Sequence, residues 1–200
     1  DNDVKRFVND SMIQIKYMSK TLSDFRNFLK PSTKKNLFSI SKALNEINEI
    51  IGKQVFYSNI KMNFNYKNKN EELLIYGYEN EFKQVLLNII NNAKNKIVEN
   101  CLPLNKKGNI NINIKRCSTF NTIEIIDDAG AIDEKVINSI FDPYFTTKQD
   151  GMGLGLYMAK IIIEDKMKGT INVRNYNNCV IFTINLPFKR IKNENFTFRR

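Results

Sequence analysis

The chain of 200 residues contains no histidine and only three cysteines. Without an imidazole it cannot build a Ser-His-Asp triad or a histidine-based metal site. Cys101, Cys117 and Cys179 lie far apart and form no Cys-x-x-Cys pair, so they predict neither a zinc site nor a disulfide framework. No apolar run approaches the roughly 18 residues that span a bilayer, and no signal peptide is apparent. We therefore expect reduced thiols, no zinc and a cytoplasmic location, with membrane attachment of a longer parent protein left open.

Basic residues outnumber acidic ones by 31 to 21, which gives a formal net charge of +10. Such a charge favours a polyanionic partner: a nucleotide, a nucleic acid or an anionic membrane surface. The surplus is mostly scattered, apart from a small basic cluster in the polar tail at 189–200. Because no basic stretch is interleaved with aromatic residues, we expect no nucleic-acid partner.

The first thirty residues carry apolar side chains at alternating spacings of four and three, with Ser11 filling one gap. These are Val4, Val8, Ile15, Met18, Leu22, Phe25 and Leu29. The pattern predicts a long bundle-forming helix that Pro31 ends and that makes a homodimer through residues 4–29. The alternative is that its stripe packs on the rest of the same chain. Since the sequence begins at Asp1 rather than at Met, we expect a piece of a longer protein.

The rest of the chain alternates between the periods of helices and of strands. Helices are predicted at about 40–57, 79–99, 133–140 and 154–168, and strands around 60–64, 73–77, 110–114, 123–126, 170–174 and 180–186. Helices and mostly antiparallel strands in this order predict an α+β fold. We expect a two-layer α/β sandwich with a mixed, mostly antiparallel sheet and helices on one face.

Two asparagines lie one turn apart on the long predicted helix. Asn88 and Asn92 share a helix face that borders apolar positions, and those positions would hold the helix against the sheet. Carboxamide oxygens can bind hydrated Mg²⁺, and the amide groups can contact phosphates. The alternative is that both residues simply cap the rim of the core, in a chain rich in asparagine.

An acidic residue follows the predicted strand around 123–126. Asp127 begins the run Asp-Asp-Ala-Gly-Ala-Ile over 127–132. A carboxylate at the end of a buried strand can accept a hydrogen bond from an exocyclic amine such as that of adenine, while small residues turn tightly against a flat ring. The alternative is an ordinary turn at the end of a strand, since Asp and Gly favour turns.

A third pattern covers residues 140–148. Phe141 and Phe145 are expected to anchor a loop, which leaves Thr146, Thr147 and Lys148 free to meet phosphates. As a lone signal this pattern is weak.

Alternating glycines precede the last predicted helix. In Gly151-Met-Gly153-Leu-Gly155-Leu156 the backbone can approach a phosphate chain closely, and the helix N-terminus adds N–H donors. The run is not a Walker loop, because no Gly-Lys-Ser/Thr follows, and its glycine spacing does not match the dinucleotide fingerprint.

Taken in this order, the four patterns resemble the N box, first glycine box, F box and second glycine box of the histidine-kinase branch of the GHKL (Bergerat) ATP-binding fold. That superfamily also contains gyrase B, Hsp90 and MutL. The resemblance covers roughly residues 37–187. Residues 12–31 are similar to the second helix of the kinase dimerisation hairpin. The implied domains are this partial hairpin at 1–31, an ATP-binding catalytic domain at 32–188 and the basic tail at 189–200.

The resemblance implies that ATP and Mg²⁺ bind between these boxes. Asn92 would hold Mg²⁺, Asn88 would contact the nucleotide beside it, and Asp127 would bind the adenine amine. Asn88 and Lys148 are the implied catalytic residues. Further implied nucleotide contacts are Gly130, Ala131, Ile132, Phe141, Phe145, Thr146, Thr147, Lys148, Gly151, Met152, Gly153, Leu154, Gly155 and Leu156.

The implied activity is that of a histidine kinase. The chain would pass the γ-phosphate of ATP to a histidine outside it, and the phosphate would then move to an Asp on a response regulator receiver domain. In the ATPase branch a Glu that activates water precedes the Mg²⁺-binding Asn by one turn, whereas this chain has Asn88, which cannot act as a base.

Some positions depart from the pattern of the family. Ala129 and Ala131 stand where most of these kinases have glycine, and Asp128 stands where they have Asn. Two rivals therefore stay open: a degenerate module that dimerises or binds a regulator without ATP, and a GHKL ATPase.

Overall fold

The computed structural model describes residues 12, 32, 34–67, 72–101, 106–147 and 152–188. Of the predicted bundle helix over 4–29 only Met12 is described, and it is helical and exposed. The rest of that helix and the tail at 189–200 lie outside the described residues, so their assignments stay predictions. Within the described part, no helix has both the length and the apolar character needed to cross a membrane.

The described chain contains seven strands and three helices, most of which the periodicity predicts. In order they are β1 (Asn36–Ser39), α1 (Ile40–Tyr57), β2 (Ile60–Tyr66), β3 (Leu74–Gly77), α2 (Glu79–Asn100), β4 (Gly108–Arg116), β5 (Phe120–Asp127), α3 (Gly155–Ile161), β6 (Thr170–Tyr176) and β7 (Cys179–Pro187). A π-helical turn over Ile162–Lys166 extends α3. Strand β1 was not predicted; it pairs with β3 in an antiparallel register that places Asn36 opposite Gly77.

The helix predicted over 133–140 is wrong. The backbone there forms consecutive turns, in which Val136 and Ile137 both donate to the carbonyl of Asp133, at 3.0 and 3.1 Å. Ser139 then donates to Val136 at 2.9 Å, so the i→i−4 pattern does not continue. Two adjacent β-branched residues followed by Asn and Ser disfavour a helix, because the branched side chains lose rotamer freedom and the polar ones compete for the backbone.

The main sheet has five strands in the order β2-β4-β5-β7-β6. Strands β2 and β4 are parallel, and the other three pairs are antiparallel. This confirms the predicted α+β sandwich with a mixed, mostly antiparallel sheet.

The two faces of the sheet differ in polarity. One face carries fully buried isoleucines, such as Ile112 and Ile125, in one core with the helices. On the opposite face, side-chain hydrogen bonds of 2.9 Å join Asn63 to Asn111 and Asn65 to Asn113 across β2 and β4. Alternation of apolar and polar residues therefore places α1, α2 and α3 on one side of the sheet.

A buried lysine joins the two long helices. Lys83 on α2 lies 2.7 Å from a carboxylate oxygen of Glu46 on α1 and 3.3 Å from one of Glu79. The Lys83 side chain is only 8% exposed, whereas those of Glu46 and Glu79 are 36% and 24% exposed. A buried ammonium needs such partners, because an unpaired charge in the interior is costly.

We expect Lys83→Met to lower the free energy of unfolding by about 2 kcal/mol. The loss stays below that of a fully buried pair because water can reach both carboxylates. The matched control is Lys96→Met on the same helix, whose 2.7 Å contact with Glu99 is about half exposed at both ends. It should cost no more than about 0.5 kcal/mol. Urea unfolding followed by circular dichroism measures both, and equal losses would contradict the role of burial.

Candidate nucleotide-binding site

Asp127 is a buried carboxylate at the end of β5. The residue is 4% exposed, and its Oδ1 accepts a hydrogen bond of 3.2 Å from the backbone N–H of Ala129. Burial raises the pKa of Asp127 from its ordinary 3.8 to about 6; the Ala129 N–H lowers this pKa and the charge of Asp128 raises it. The single backbone donor compensates little for the hydration that this carboxylate loses on burial, so the ionised form destabilises the fold. The carboxylate is therefore well suited to accept a hydrogen bond from a ligand.

The turn that follows Asp127 needs glycine at one position, and the chain has it there. Gly130 has a φ of +109°, while a Cβ at this position would meet only the amide of Asn100, at 3.9 Å. Glycine is therefore required here by the backbone conformation and not by a lack of room for a Cβ. Ala129 is buried and Ala131 is exposed, and neither has a positive φ. The two alanines that depart from the family pattern are thus compatible with the turn.

Asp128, another departure, has a structural role. Its two carboxylate oxygens accept hydrogen bonds of 2.7 Å from the backbone N–H and from the side-chain amide of Asn109. Asn109 lies at the start of β4, next to β5 in the sheet. The pair therefore fastens the residue after Asp127 to the neighbouring strand, and two donors to one carboxylate make a strong contact.

Two further asparagines hold the same loop, and sequence reasoning missed both. Asn100, the last residue of α2, donates to the carbonyl of Ala129 at 2.8 Å. Asn175 on β6 donates to the carbonyl of Ile132 at 2.8 Å and accepts from its N–H at 2.9 Å. The only signal in the sequence is a polar residue at the end of an apolar pattern, which does not identify a partner.

The structure brings the N box and the second glycine box together. The side-chain amide of Asn88 donates to the carbonyl of Gly155, the first residue of α3, at 3.3 Å. A Cβ at Gly155 would lie 3.8 Å from the Asn88 carboxamide, so α2 and the second glycine box are in van der Waals contact. Asn92 is half-buried one turn further along α2.

The F box and the second glycine box are also in contact. A Cβ at Gly153, whose φ is +65°, would lie 2.3 Å from the backbone of Tyr144, so only glycine fits there. Phe141 and Phe145 pack against the core, and the ring of Phe141 lies edge-on to Phe182 at 6.3 Å. The two phenylalanines therefore anchor the loop, as the sequence predicts.

The remaining predicted contacts line the surface around these anchors. Thr146, Thr147 and Met152 are exposed, and Leu154 and Leu156 are half-buried. Lys148 and Gly151 lie outside the described residues, so their roles stay predictions.

Helix α3 begins without a side-chain cap. Leu154 occupies the N-cap position and its side chain cannot accept a hydrogen bond, so among the described residues no side chain caps the first N–H groups of the helix. Such a terminus favours an anion through its N–H groups and its dipole. Within the described ranges, no group of three His, Cys, Asp or Glu residues could hold a metal ion. A metal here would depend on carboxamide oxygens and on the phosphates of the ligand.

Known proteins are similar to this chain in sequence and in fold. Sporulation kinase A of Bacillus subtilis (strain 168) is 29% identical over 171 residues, which cover 84% of this chain and 27% of that kinase. The chain therefore spans about a quarter of the length of that relative. The solved catalytic domain of histidine kinase ThkA, in a nucleotide-free form, matches with a TM-score of 0.66 at 28% identity, over 78% of this chain and 96% of that one.

A second solved structure has the same fold: histidine kinase ThkA in complex with the response regulator protein TrrA. It has a TM-score of 0.63 at 23% identity and covers 93% of this chain and 52% of that one. The family described as "Histidine kinase-, DNA gyrase B-, and HSP90-like ATPase" matches residues 77–190. This match contains all four boxes and more than half of the sequence, and the chain therefore belongs to the histidine kinase-, DNA gyrase B- and HSP90-like ATPase family.

Proposed function

We propose that this chain is the ATP-binding catalytic domain of a sensor histidine kinase. The observation that carries the proposal is Asp127, a buried carboxylate with a raised pKa and one backbone donor, in a loop that three asparagines hold in place. A fixed acceptor beside a tight turn matches the exocyclic amine and flat ring of adenine. Gly130, Ala131 and Ile132 would line that ring.

Helix α2 gives the proposed site its length. Asn100 contacts the loop after Asp127 at one end of the helix, and Asn88, twelve residues earlier, contacts Gly155 of the second glycine box. At a rise of 1.5 Å per residue the two contacts are about 18 Å apart along the axis. Asn92 lies between them. This layout suits a ligand with a flat base at one end and a charged chain at the other.

The phosphate end would use carboxamides, backbone amides and Mg²⁺. The Asn92 oxygen fits Mg²⁺, which binds few protein oxygens and keeps phosphate and water ligands. When bound, Mg²⁺ would neutralise charge on the phosphates. Gly153, Gly155 and the N-terminus of α3 would donate N–H groups to the phosphates. Lys148, Thr146 and Thr147 belong to the same proposal as residues of a short lid.

The phosphoryl acceptor would come from outside these 200 residues, which contain no histidine. Transfer would then rest on positioning of the γ-phosphate and on charge neutralisation. Sporulation kinase A supports a kinase, and histidine kinase ThkA supports a histidine as the acceptor. The ThkA–TrrA complex supports a response regulator as the next partner. We include in the proposal the domain limits 1–31, 32–188 and 189–200, a homodimer through 4–29 and a cytoplasmic location.

The alternative of a module that binds no ATP is disfavoured, because Gly130 supplies the glycine that the turn after Asp127 needs and because Asp127 keeps its carboxylate at a cost to stability. The ATPase rival needs a base one turn before Asn92, and Asn88 offers none. Each rival has its own test.

We expect Asp127→Asn to weaken Mg²⁺-ATP binding at pH 7.5 by about 1.5–3 kcal/mol, since one hydrogen bond to a charged group is lost. With a pKa of about 6, wild-type Asp127 becomes protonated as the pH falls, so the difference between wild type and variant should shrink towards pH 5. Comparing the two proteins at each pH removes the titration of ATP itself. Calorimetry measures both affinities.

The matched control is Asp165→Asn, which removes an exposed carboxylate from the π-helical turn. It should leave the affinity unchanged. Equal affinities of wild type and Asp127→Asn at pH 7.5 would show that Asp127 does not contact adenine, and no heat with wild type at about 1 mM ATP would favour the module that binds no nucleotide.

We also expect no steady release of phosphate from Mg²⁺-ATP by this chain above the rate in buffer, because Asn88 cannot activate water. A coupled phosphate assay with Asn92→Ala as the reference measures this. Sustained release by the wild type that Asn92→Ala abolishes would identify the chain as an ATPase.

A further inference from the structure

A groove lies between the C-terminal half of α1 and the edge strand β2, away from the four boxes. Its volume is about 430 Å³, and Val55 and Met62 contribute to its apolar lining. Phe56 and Tyr57 rise beside it, with ring centroids 5.9 Å apart, and they are 75% and 83% exposed. A concave apolar surface with projecting aromatic rings is typical of a binding site.

The exposure of this aromatic pair is unusual for the chain. Among the described residues, large apolar side chains more than about 70% exposed occur at only two places. One is the proposed nucleotide site, with Tyr144 at 76% and Met152 at 79%. The other is the pair Phe56 and Tyr57. Ordinary surface aromatics, such as Tyr176 at 57%, are better covered.

The groove borders an open edge of the main sheet. Strand β2 pairs with β4 on one side, and no described strand pairs with it on the other. An unpaired edge presents N–H and C=O groups that can accept a further strand. Met62 stands opposite Ile110, which stands opposite Asp127. Two strand spacings of about 4.8 Å therefore place β2, which borders the groove, about 10 Å from β5, the strand that ends at Asp127.

The charge at the groove has one sign. Lys53 on α1 and Lys61 on β2 both line it, and no acidic residue of the described part of the chain does. Both lysines are exposed, and neither forms an ion pair with another described residue. Glu46, by contrast, is on the same helix and is already engaged by Lys83. The unpaired ammonium groups at the rim favour a negatively charged occupant.

We propose that this groove docks an extended, acidic segment of a partner protein. The segment adds a strand to the free edge of β2, and one of its aromatic or branched side chains enters the groove beside Phe56. Its acidic side chains meet Lys53 and Lys61. The backbone of β2 provides general affinity, and the apolar groove and the two lysines provide selectivity. This surface is separate from the proposed nucleotide site and does not depend on it.

The test uses the full chain and a fluorescein-labelled peptide with the sequence Asp-Glu-Ile-Phe-Glu-Asp, blocked at both ends. We expect saturable binding by fluorescence anisotropy below about 1 mM, with affinity that falls as salt is added. A peptide with Lys at the four acidic positions tests charge, and one with Ser in place of Ile and Phe tests the groove. Both should bind at least about tenfold more weakly.

Variants of the chain locate the binding. Two double variants should each lower the affinity for the acidic peptide at least about tenfold. One is Lys53→Glu with Lys61→Glu, and the other is Phe56→Ser with Tyr57→Ser. The matched controls are Lys42→Glu, an exposed lysine on the first turn of α1, and Tyr176→Ser, an exposed aromatic on the opposite edge strand β6. Both controls should change the affinity less than about twofold. Circular dichroism checks that each variant is folded.

Three results would overturn the proposal. The first is no binding of the acidic peptide up to about 1 mM, and the second is equal binding of the acidic and basic peptides. The third is a dimer in sedimentation velocity that Phe56→Ser with Tyr57→Ser abolishes and Tyr176→Ser does not, because the groove would then be an interface between copies of this chain.

Discussion

Keeping a carboxylate ionised inside an apolar core is the constraint around which the candidate site is built. Burial raises the pKa of Asp127 from 3.8 to about 6, which corresponds to about 3 kcal/mol of lost stability at neutral pH. The sign follows from the direction of the shift: the ionised form is disfavoured in the fold, so the loss is present above pH 6 and disappears as the pH falls towards 4. A residue that weakens its own fold by this amount has a reason to be acidic that lies outside folding.

The surrounding structure holds this carboxylate in place without neutralising it. Asn109 binds the adjacent Asp128, Asn100 binds the carbonyl of Ala129, and Asn175 binds both backbone groups of Ile132. These contacts reach the loop from α2, β4 and β6, and none of them goes to Asp127 itself. Helix α2 also reaches the other end of the site, where the Asn88 side chain donates a hydrogen bond to the carbonyl of Gly155. A loop held in this way loses little freedom when a nucleotide binds beside it.

Much of the fold follows from periodicity, and the rest depends on contacts that periodicity cannot contain. Alternating isoleucines at Ile110 and Ile112 predict β4, and four-residue spacings predict α1 and α2. Strand β1 was missed because its two apolar residues, Leu37 and Phe38, are adjacent and do not alternate, and its partner β3 lies almost forty residues away. The turns over 133–142 replace a predicted helix, because the apolar spacing there is compatible both with a helix and with consecutive turns.

The candidate site divides in the same way. Asp127, Gly130, Asn88 and Gly153 stand out in the sequence, because each lies within a short local motif. The asparagine contacts do not: Asn100 and Asn175 reach residues 29 and 43 positions away, and only the folded sheet brings them together. The same holds for the ionisation of Asp127, which depends on burial by the whole core.

The role of Asp127 in nucleotide binding is tested most directly by its pKa, measured by carboxyl-carbon NMR with and without saturating Mg²⁺ and an ATP analogue. The free chain should show a pKa of about 6, and the bound chain a clearly lower one, because an amine donor favours the ionised form. A pKa that stays the same or rises on binding would mean that the nucleotide does not use this carboxylate, and the account of the site would fail.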